Sequence, residues 1–128
     1  MRKQVPKQIS ILVIDDDKHS VETIEKYSQA SGYLCHKTHS KNGIYEYLDG
    51  FYYDAVFCDG SMQDFDLGLL LKYCLNRFPS IRFIITSCLS PEKSKRYMEF
   101  ENVVHCLPKP FNVEDFVRYA NNGRRTTV

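Results

Sequence analysis

The sequence ILVIDDD, residues 11–17, joins a continuous apolar run to three consecutive carboxylates. The apolar part is typical of a strand that is buried on both faces of a parallel sheet. The acidic part is costly, because two unit charges about 4 Å apart repel by roughly 4 kcal/mol at an effective dielectric near 20. A solvated acidic loop could disperse this charge, and the alternative is that a cation binds there.

Four further apolar runs follow, separated by segments that contain helix-capping residues. The five predicted strands are Ile9–Ile14, Tyr33–Thr38, Asp54–Cys58, Ile81–Thr86 and Val103–Leu107. Gly32 is typical of a helix end, whereas Ser90 before a proline and Asn112 before acidic residues are typical of helix starts. Alternating strands and helices predict a doubly wound α/β fold, with a five-stranded parallel sheet covered by helices on both faces. The mixed composition of the second run indicates an edge strand.

Composition favours one globular domain, since 128 residues with 43% hydrophobic and 26% charged residues can form an adequate core. A net charge of +1 offers no electrostatic footprint for nucleic acid or an anionic membrane. The start, MRKQVPKQ, lacks a signal-peptide core, and no apolar run approaches the roughly 20 residues of a membrane span. These features predict a cytoplasmic location. The five cysteines occur singly, which predicts reduced thiols.

Polar residues follow four of the five predicted strands. They are Asp15, Asp16 and Asp17 after the first, Asp59 after the third, Thr86 and Ser87 at the fourth, and Lys109 after the fifth. Each has a simpler explanation when taken alone. Asp17 or Asp59 could equally be a helix N-cap, Ser87 could cap a turn, and Lys109 could be a solvated lysine. Because functional crevices lie beyond the carboxyl ends of parallel strands, their convergence on one edge favours a site.

The residue types at this edge indicate a particular chemistry. Clustered carboxylates suit Mg²⁺, which prefers a few protein oxygens and keeps room for water and phosphate. A hydroxyl and an ammonium supply donors for the other oxygens of a phosphoryl group. The set therefore predicts metal-assisted phosphoryl transfer in which one carboxylate is the nucleophile.

Four motifs, ILVIDDD, AVFCDGSM, FIITSC and LPKPF, together resemble the receiver domain of two-component response regulators. The resemblance covers about residues 8–121, and the intervals between Asp16, Asp59, Ser87 and Lys109 agree with the family's layout. It implies a flavodoxin-like, CheY-like fold with strand order 2-1-3-4-5 and five helices. The chain would be a single receiver domain over residues 1–128, with residues 122–128 a tail or the start of a linker.

The resemblance also implies roles for the residues at the sheet edge. The metal ligands would be Asp15, Asp16, Asp59 and the backbone carbonyl of Ser61, holding Mg²⁺. Asp59 would accept the phosphoryl group, Ser87 rather than Thr86 would be the family's hydroxyl, and Lys109 would bind a phosphoryl oxygen. The Lys109–Pro110 bond would be cis.

The implied activity is that of a signalling switch, not of an enzyme beyond its own phosphorylation and dephosphorylation. The phosphodonor would be a sensor histidine kinase or a histidine phosphotransfer protein, and the output a downstream protein target. The resemblance implies no direct contact with nucleic acid or membrane, and it allows a homodimer.

Some positions depart from the family pattern, and most lie away from the chemistry. Cys106 stands at the usual aromatic switch position, and Gln63 and Leu67 replace a proline and a glycine. Asn102 and Val103 replace a Gly-Ala pair. These departures predict that the chemistry is kept and the output altered, with activation carried by Ser87 and the loop from Cys88 to Ser90.

Other functions fit the sequence less well. A degenerate receiver that acts as a phosphorylation-independent interaction module is the main alternative. A haloacid-dehalogenase-type phosphatase needs a second carboxylate two residues after its nucleophile, where this chain has Ser61. A nucleotide-binding fold would need a glycine-rich GxxxxGK or GxGxxG run, which the sequence lacks.

Overall fold

Five β-strands alternate with five α-helices in the computed structural model, which describes residues 8–87 and 89–121. The strands are β1 (Ser10–Ile14), β2 (Leu34–Thr38), β3 (Ala55–Asp59), β4 (Arg82–Thr86) and β5 (Val103–Leu107). The helices are α1 (Lys18–Ala30), α2 (Lys41–Gly50), α3 (Leu67–Arg77), α4 (Pro91–Met98) and α5 (Val113–Asn121). The predicted alternation of strands and helices is confirmed.

The strands form one parallel sheet in the order β2-β1-β3-β4-β5, as predicted. Strand β2 lies at an edge, which confirms the expectation from its mixed composition. The register aligns Ile14 with Cys58 and Asp59 with Thr86. Because the ends of β1, β3 and β4 are nearly level, the residues that follow them reach the same edge of the sheet.

Two apolar layers cover the sheet. On one face, residues of α2 and α3 pack against alternate strand positions, and on the other face residues of α1 and α5 do so. The second layer includes stacked rings of Phe57 and Phe116, whose centroids are 4.9 Å apart. Both rings are fully buried, so α5 is held firmly beside the strand that carries Asp59.

The helix starts follow the sequence signals. Asp17 accepts the backbone N–H of His19 as the N-cap of α1, and Ser90 accepts that of Lys93 as the N-cap of α4. Asn112 accepts the N–H of Asp115 at the start of α5. Asp17 is therefore a helix cap, one of the two roles that the sequence left open for it.

The described cysteines are free thiols, in agreement with the predicted reduced state. Cys58 and Cys74 are buried, and burial raises the pKa of Cys74 to about 12. These thiols are therefore neutral packing groups at ordinary pH. Cys88 and the predicted tail, residues 122–128, lie outside the described residues.

None of the helices in the described part of the chain combines the length and apolar character that spanning a membrane requires.

Candidate phosphoryl-transfer site

Three carboxylates meet at the carboxyl end of the sheet. Asp15, Asp16 and Asp59 each offer an oxygen, and these oxygens lie within 4.8 Å of one another. Asp15 is 2% exposed and Asp59 6%, whereas Asp16 is open to solvent. The predicted third strand, Asp54–Cys58, was displaced by one residue, because Asp59 pairs with Thr86 as the last residue of β3. The nucleophile candidate is thus fixed by the strand itself.

Lys109 reaches this cluster from the loop between β5 and α5. Its Nζ donates to Asp15 Oδ2 at 2.8 Å and lies 3.9 Å from Asp59 Oδ2. The following bond, Lys109–Pro110, is cis as predicted. In the structure this lysine pairs with the carboxylates, and its predicted contact with a phosphoryl oxygen stays a prediction.

The electrostatics of the cluster favour a further cation. Burial raises the pKa of Asp15, and the hydrogen bond from Lys109 only partly offsets this effect. Among the described residues, the Lys109 ammonium pairs with two of the three carboxylates, so their negative charge is incompletely balanced there. The donors are carboxylate oxygens, which suit a hard divalent cation such as Mg²⁺. The assignment of these residues as metal ligands stays a prediction.

Ser61 contacts the predicted nucleophile through two groups. Its backbone N–H and its hydroxyl both donate to Asp59 Oδ1, at 3.0 and 2.9 Å. The alternative that Asp59 caps the following helix is wrong, since Asp66 accepts the N–H of Leu69 as the N-cap of α3. The assignment of the Ser61 carbonyl as a metal ligand stays a prediction. The hydroxyl contact was not predicted from the sequence, although Asp-x-Ser is a common local turn pattern.

The fourth strand places two hydroxyls very differently. Thr86 is 1% exposed, and its Oγ1 has no hydrogen-bond partner within the described residues. Ser87 is partly exposed and donates its hydroxyl to Ser61 Oγ at 3.0 Å. Ser87 thus lies within one hydrogen bond of Ser61, and its assignment as the family's hydroxyl stays a prediction.

Cys106 lies on β5, three residues before Lys109, and is not part of the carboxylate cluster. Its Sγ lies 3.7 Å from the backbone carbonyl of Ser94 in α4, and the side chain packs at the margin of the apolar layer under α3. The thiol therefore links β5 to α4.

Comparison with known proteins identifies the family. Residues 11–121 match the model of the response regulator receiver domain, which is most of the chain. The chain belongs to this family. Receiver domains are signalling switches of two-component systems, and they typically bind a divalent metal in an acidic pocket.

The similar proteins are distant. The chain is 26% identical over 106 residues to the DNA-binding transcriptional regulator NtrC of Proteus hauseri. The matched region covers 83% of this chain but only 22% of that protein. The chain thus spans about a fifth of the curated relative that it matches.

Solved structures share the fold. The chemotaxis response regulator CheY4 of Vibrio cholerae has a TM-score of 0.76 at 17% identity, covering 88% of this chain and 95% of that chain. A response regulator of Burkholderia pseudomallei was solved with a phosphorylated aspartic acid, calcium ion and citrate. It has a TM-score of 0.80 at 18% identity, covering 90% of this chain and 68% of that chain.

Proposed function

We propose that this chain accepts a phosphoryl group on Asp59 from a phosphohistidine, in a Mg²⁺-dependent reaction, and signals by the conformational change that follows. The observation that carries the proposal is the convergence of Asp15, Asp16 and Asp59 with Lys109 at one edge of the sheet. The phosphorylated aspartate of the Burkholderia pseudomallei relative supports it.

The proposed step is a displacement at phosphorus. A carboxylate oxygen of Asp59 forms the new O–P bond, while the P–N bond of the donor breaks and its electron pair stays on the nitrogen. A donor imidazole that is protonated on its other nitrogen leaves as neutral imidazole. Lys109, at 3.9 Å from Asp59 Oδ2, stabilises the charge on the phosphoryl oxygens.

Residues of the acidic cluster would hold the metal ion. Asp15, Asp16, Asp59 and the carbonyl of Ser61 would be its protein ligands, and their oxygen-only donor set fits Mg²⁺. When bound, the ion supplies positive charge to the phosphoryl oxygens.

The proposed setting is that of a switch module. The phosphodonor is a sensor histidine kinase or a histidine phosphotransfer protein, the target is a downstream protein, and the location is cytoplasmic. The proposal allows a homodimer, because an NtrC4 receiver domain with a TM-score of 0.79 to this chain at 18% identity was solved as a beryllofluoride-activated dimer. We propose no enzymatic turnover beyond the domain's own phosphorylation and dephosphorylation, and no direct contact with nucleic acid or membrane. The domain proposed is a single receiver over residues 1–128.

Acetyl phosphate tests the proposal without a cognate kinase. After incubation with acetyl phosphate and Mg²⁺, intact mass should increase by one phosphoryl group, and chelation of the metal should prevent the increase. A protein that gains no phosphoryl group over a range of donor and Mg²⁺ concentrations would instead support the phosphorylation-independent interaction module.

Metal binding should depend on Asp16 and hardly on its neighbour Asp17. Removing one carboxylate charge from the cluster should weaken Mg²⁺ binding on the order of tenfold or more. We therefore expect Asp16→Asn to raise the Kd for Mg²⁺, measured by NMR titration of the unphosphorylated protein. In the wild type the shifts should centre on Asp15, Asp16 and Asp59.

The matched control is Asp17→Asn, because asparagine preserves the N-cap of α1 and Asp17 lies outside the carboxylate cluster. Its Kd should stay within about twofold of the wild-type value, since a more distant exposed charge is screened. The proposed ligands would be contradicted if Asp16→Asn and Asp17→Asn weakened Mg²⁺ binding equally. They would also be contradicted if Mg²⁺ shifted wild-type NMR signals away from the cluster.

Cys106→Tyr should leave phosphoryl uptake largely unchanged. The thiol contacts the Ser94 carbonyl and lies outside the carboxylate cluster, so the reacting groups are not altered. The tyrosine ring is larger than the thiol, and overpacking can lower the free energy of unfolding by about 1–3 kcal/mol. A thermal melt would measure this loss separately. The measurement is the initial rate of uptake from acetyl phosphate, with Cys106→Ala as the control for loss of the thiol. Abolished uptake in a folded Cys106→Tyr protein would give Cys106 a role in the chemistry.

A further inference from the structure

Three side chains form a hydrogen-bonded chain that ends on the proposed nucleophile. Ser87 donates its hydroxyl to Ser61 Oγ at 3.0 Å, and Ser61 donates its own hydroxyl to Asp59 Oδ1 at 2.9 Å. A serine hydroxyl can donate one hydrogen bond and also accept one. Ser61 donates to Asp59 and accepts from Ser87. The Ser61 hydroxyl is therefore the link between Asp59 and Ser87.

The sheet fixes the two serines beside each other. Asp59 pairs with Thr86, and the N–H of Gly60 donates to the carbonyl of Thr86 at 3.1 Å. Ser61 directly follows Gly60, and Ser87 directly follows Thr86. Their hydroxyls thus meet where the strands separate into loops, and no long side chain has to be ordered to join them.

A second contact joins the same two loops. A Cβ added at Gly60 would lie 2.8 Å from Ile85 Cγ2 and 3.1 Å from Leu89 Cδ1. The Leu89 side chain therefore packs against Gly60, the glycine that precedes Ser61. Since Leu89 follows Ser87 by two residues, we expect its methyl groups to report movement of Ser87 away from Ser61.

We propose that the hydroxyl of Ser61 is a positioning group that holds Ser87 in the unphosphorylated arrangement. The proposal rests on the proposed function in one respect: Ser87 must exchange Ser61 for a phosphoryl oxygen when Asp59 is phosphorylated. We call the arrangement in which Ser87 no longer donates to Ser61 the released arrangement. The Ser61 hydroxyl then sets the fraction of unphosphorylated molecules in the released arrangement.

Ser61→Ala removes this link while keeping the backbone N–H that donates to Asp59. Because both hydroxyls are accessible to solvent, the lost bond should change the ratio of released to held Ser87 by about two- to fivefold. Ser61 is exposed, so the melting temperature should hardly change. Ser61→Thr retains a hydroxyl and should restore the wild-type behaviour.

The test is a double-mutant cycle on the unphosphorylated, metal-free protein, read by the NMR methyl shifts of Leu89. Ser61→Ala should shift the Leu89 methyl signals in the wild-type background and produce no further shift in the Ser87→Ala background. Ser20→Ala is the matched control, since Ser20 donates to Asp17 Oδ2 at 2.8 Å in a similar contact outside the cluster. It should leave Leu89 unchanged.

Two results would overturn the proposal: unchanged Leu89 signals in Ser61→Ala, or equal shifts in the two backgrounds. No phosphodonor is present in this experiment, so its outcome is independent of whether Asp59 can be phosphorylated. Failure of phosphoryl uptake in the acetyl phosphate assay would remove the proposed function and leave the serine link itself intact.

Discussion

Asp59→Asn should abolish phosphoryl uptake and leave the fold intact. The amide has nearly the shape of the carboxylate but lacks the anionic oxygen that attacks phosphorus. Asp59 is 6% exposed at the end of β3, and an asparagine oxygen can still accept the two hydrogen bonds from Ser61. We therefore expect intact mass to show no added phosphoryl group after treatment with acetyl phosphate and Mg²⁺.

The control for this experiment is again Asp17→Asn, which removes a carboxylate from the same acidic run without touching the cluster. It should take up phosphoryl groups at close to the wild-type rate. If the Asp59→Asn protein were phosphorylated in undiminished yield, another residue would have to be the acceptor.

Lys109→Met should slow phosphoryl uptake by on the order of 10²-fold or more, which is the usual effect of removing one donor that stabilises transition-state charge. Methionine keeps much of the length of the side chain, so the change isolates the ammonium. The measurement is the initial rate of uptake at saturating Mg²⁺. An uptake rate within a few-fold of wild type would show that Lys109 does not act on the phosphoryl group.

The same variant should lose stability in a pH-dependent way. Lys109 donates to Asp15, which is 2% exposed, and burial already raises the pKa of that carboxyl above its usual value of 3.8. Without the ammonium this pKa rises further, and the folded state then binds more protons than the unfolded state. The free energy of unfolding should therefore fall as pH rises from about 4 toward the raised pKa.

At neutral pH we expect Lys109→Met to cost about 2–3 kcal/mol, because a buried carboxylate loses its partner. Lys37→Met is the control, since the ion pair of Lys37 with Glu25 at 3.3 Å is solvent-exposed and should contribute at most about 1 kcal/mol. Chemical denaturation at pH 4 and pH 7 would measure both. An equal loss at the two pH values would contradict the role assigned to the Lys109–Asp15 pair.

The fold was predictable because the apolar runs are short, nearly continuous and regularly interrupted. Each observed strand begins or ends within one residue of its prediction, and the edge position of β2 follows from its mixed residues. The convergence of Asp15, Asp59, Ser87 and Lys109 was predictable for a related reason. Parallel strands end at one edge, so residues that follow different strands meet there.

The sequence could not establish what each polar side chain contacts. Asp17 follows β1 and Asp59 is the last residue of β3, yet Asp17 caps α1 whereas Asp59 accepts both bonds from Ser61. The difference depends on where the next helix begins: α1 starts immediately after Asp17, and α3 starts eight residues after Asp59 with its own cap, Asp66. The pairing of Lys109 with Asp15 similarly depends on three-dimensional distances that spacing does not specify.

The decisive measurement is the position of the phosphoryl group on the chain. After treatment with acetyl phosphate and Mg²⁺, reduction with borohydride converts an aspartyl phosphate into homoserine, and peptide mass spectrometry locates that residue. We expect homoserine at position 59 in the wild-type protein, and none when the metal is chelated. Homoserine at Asp15 or Asp16, or a phosphoryl group found on another residue type with position 59 unchanged, would contradict this expectation.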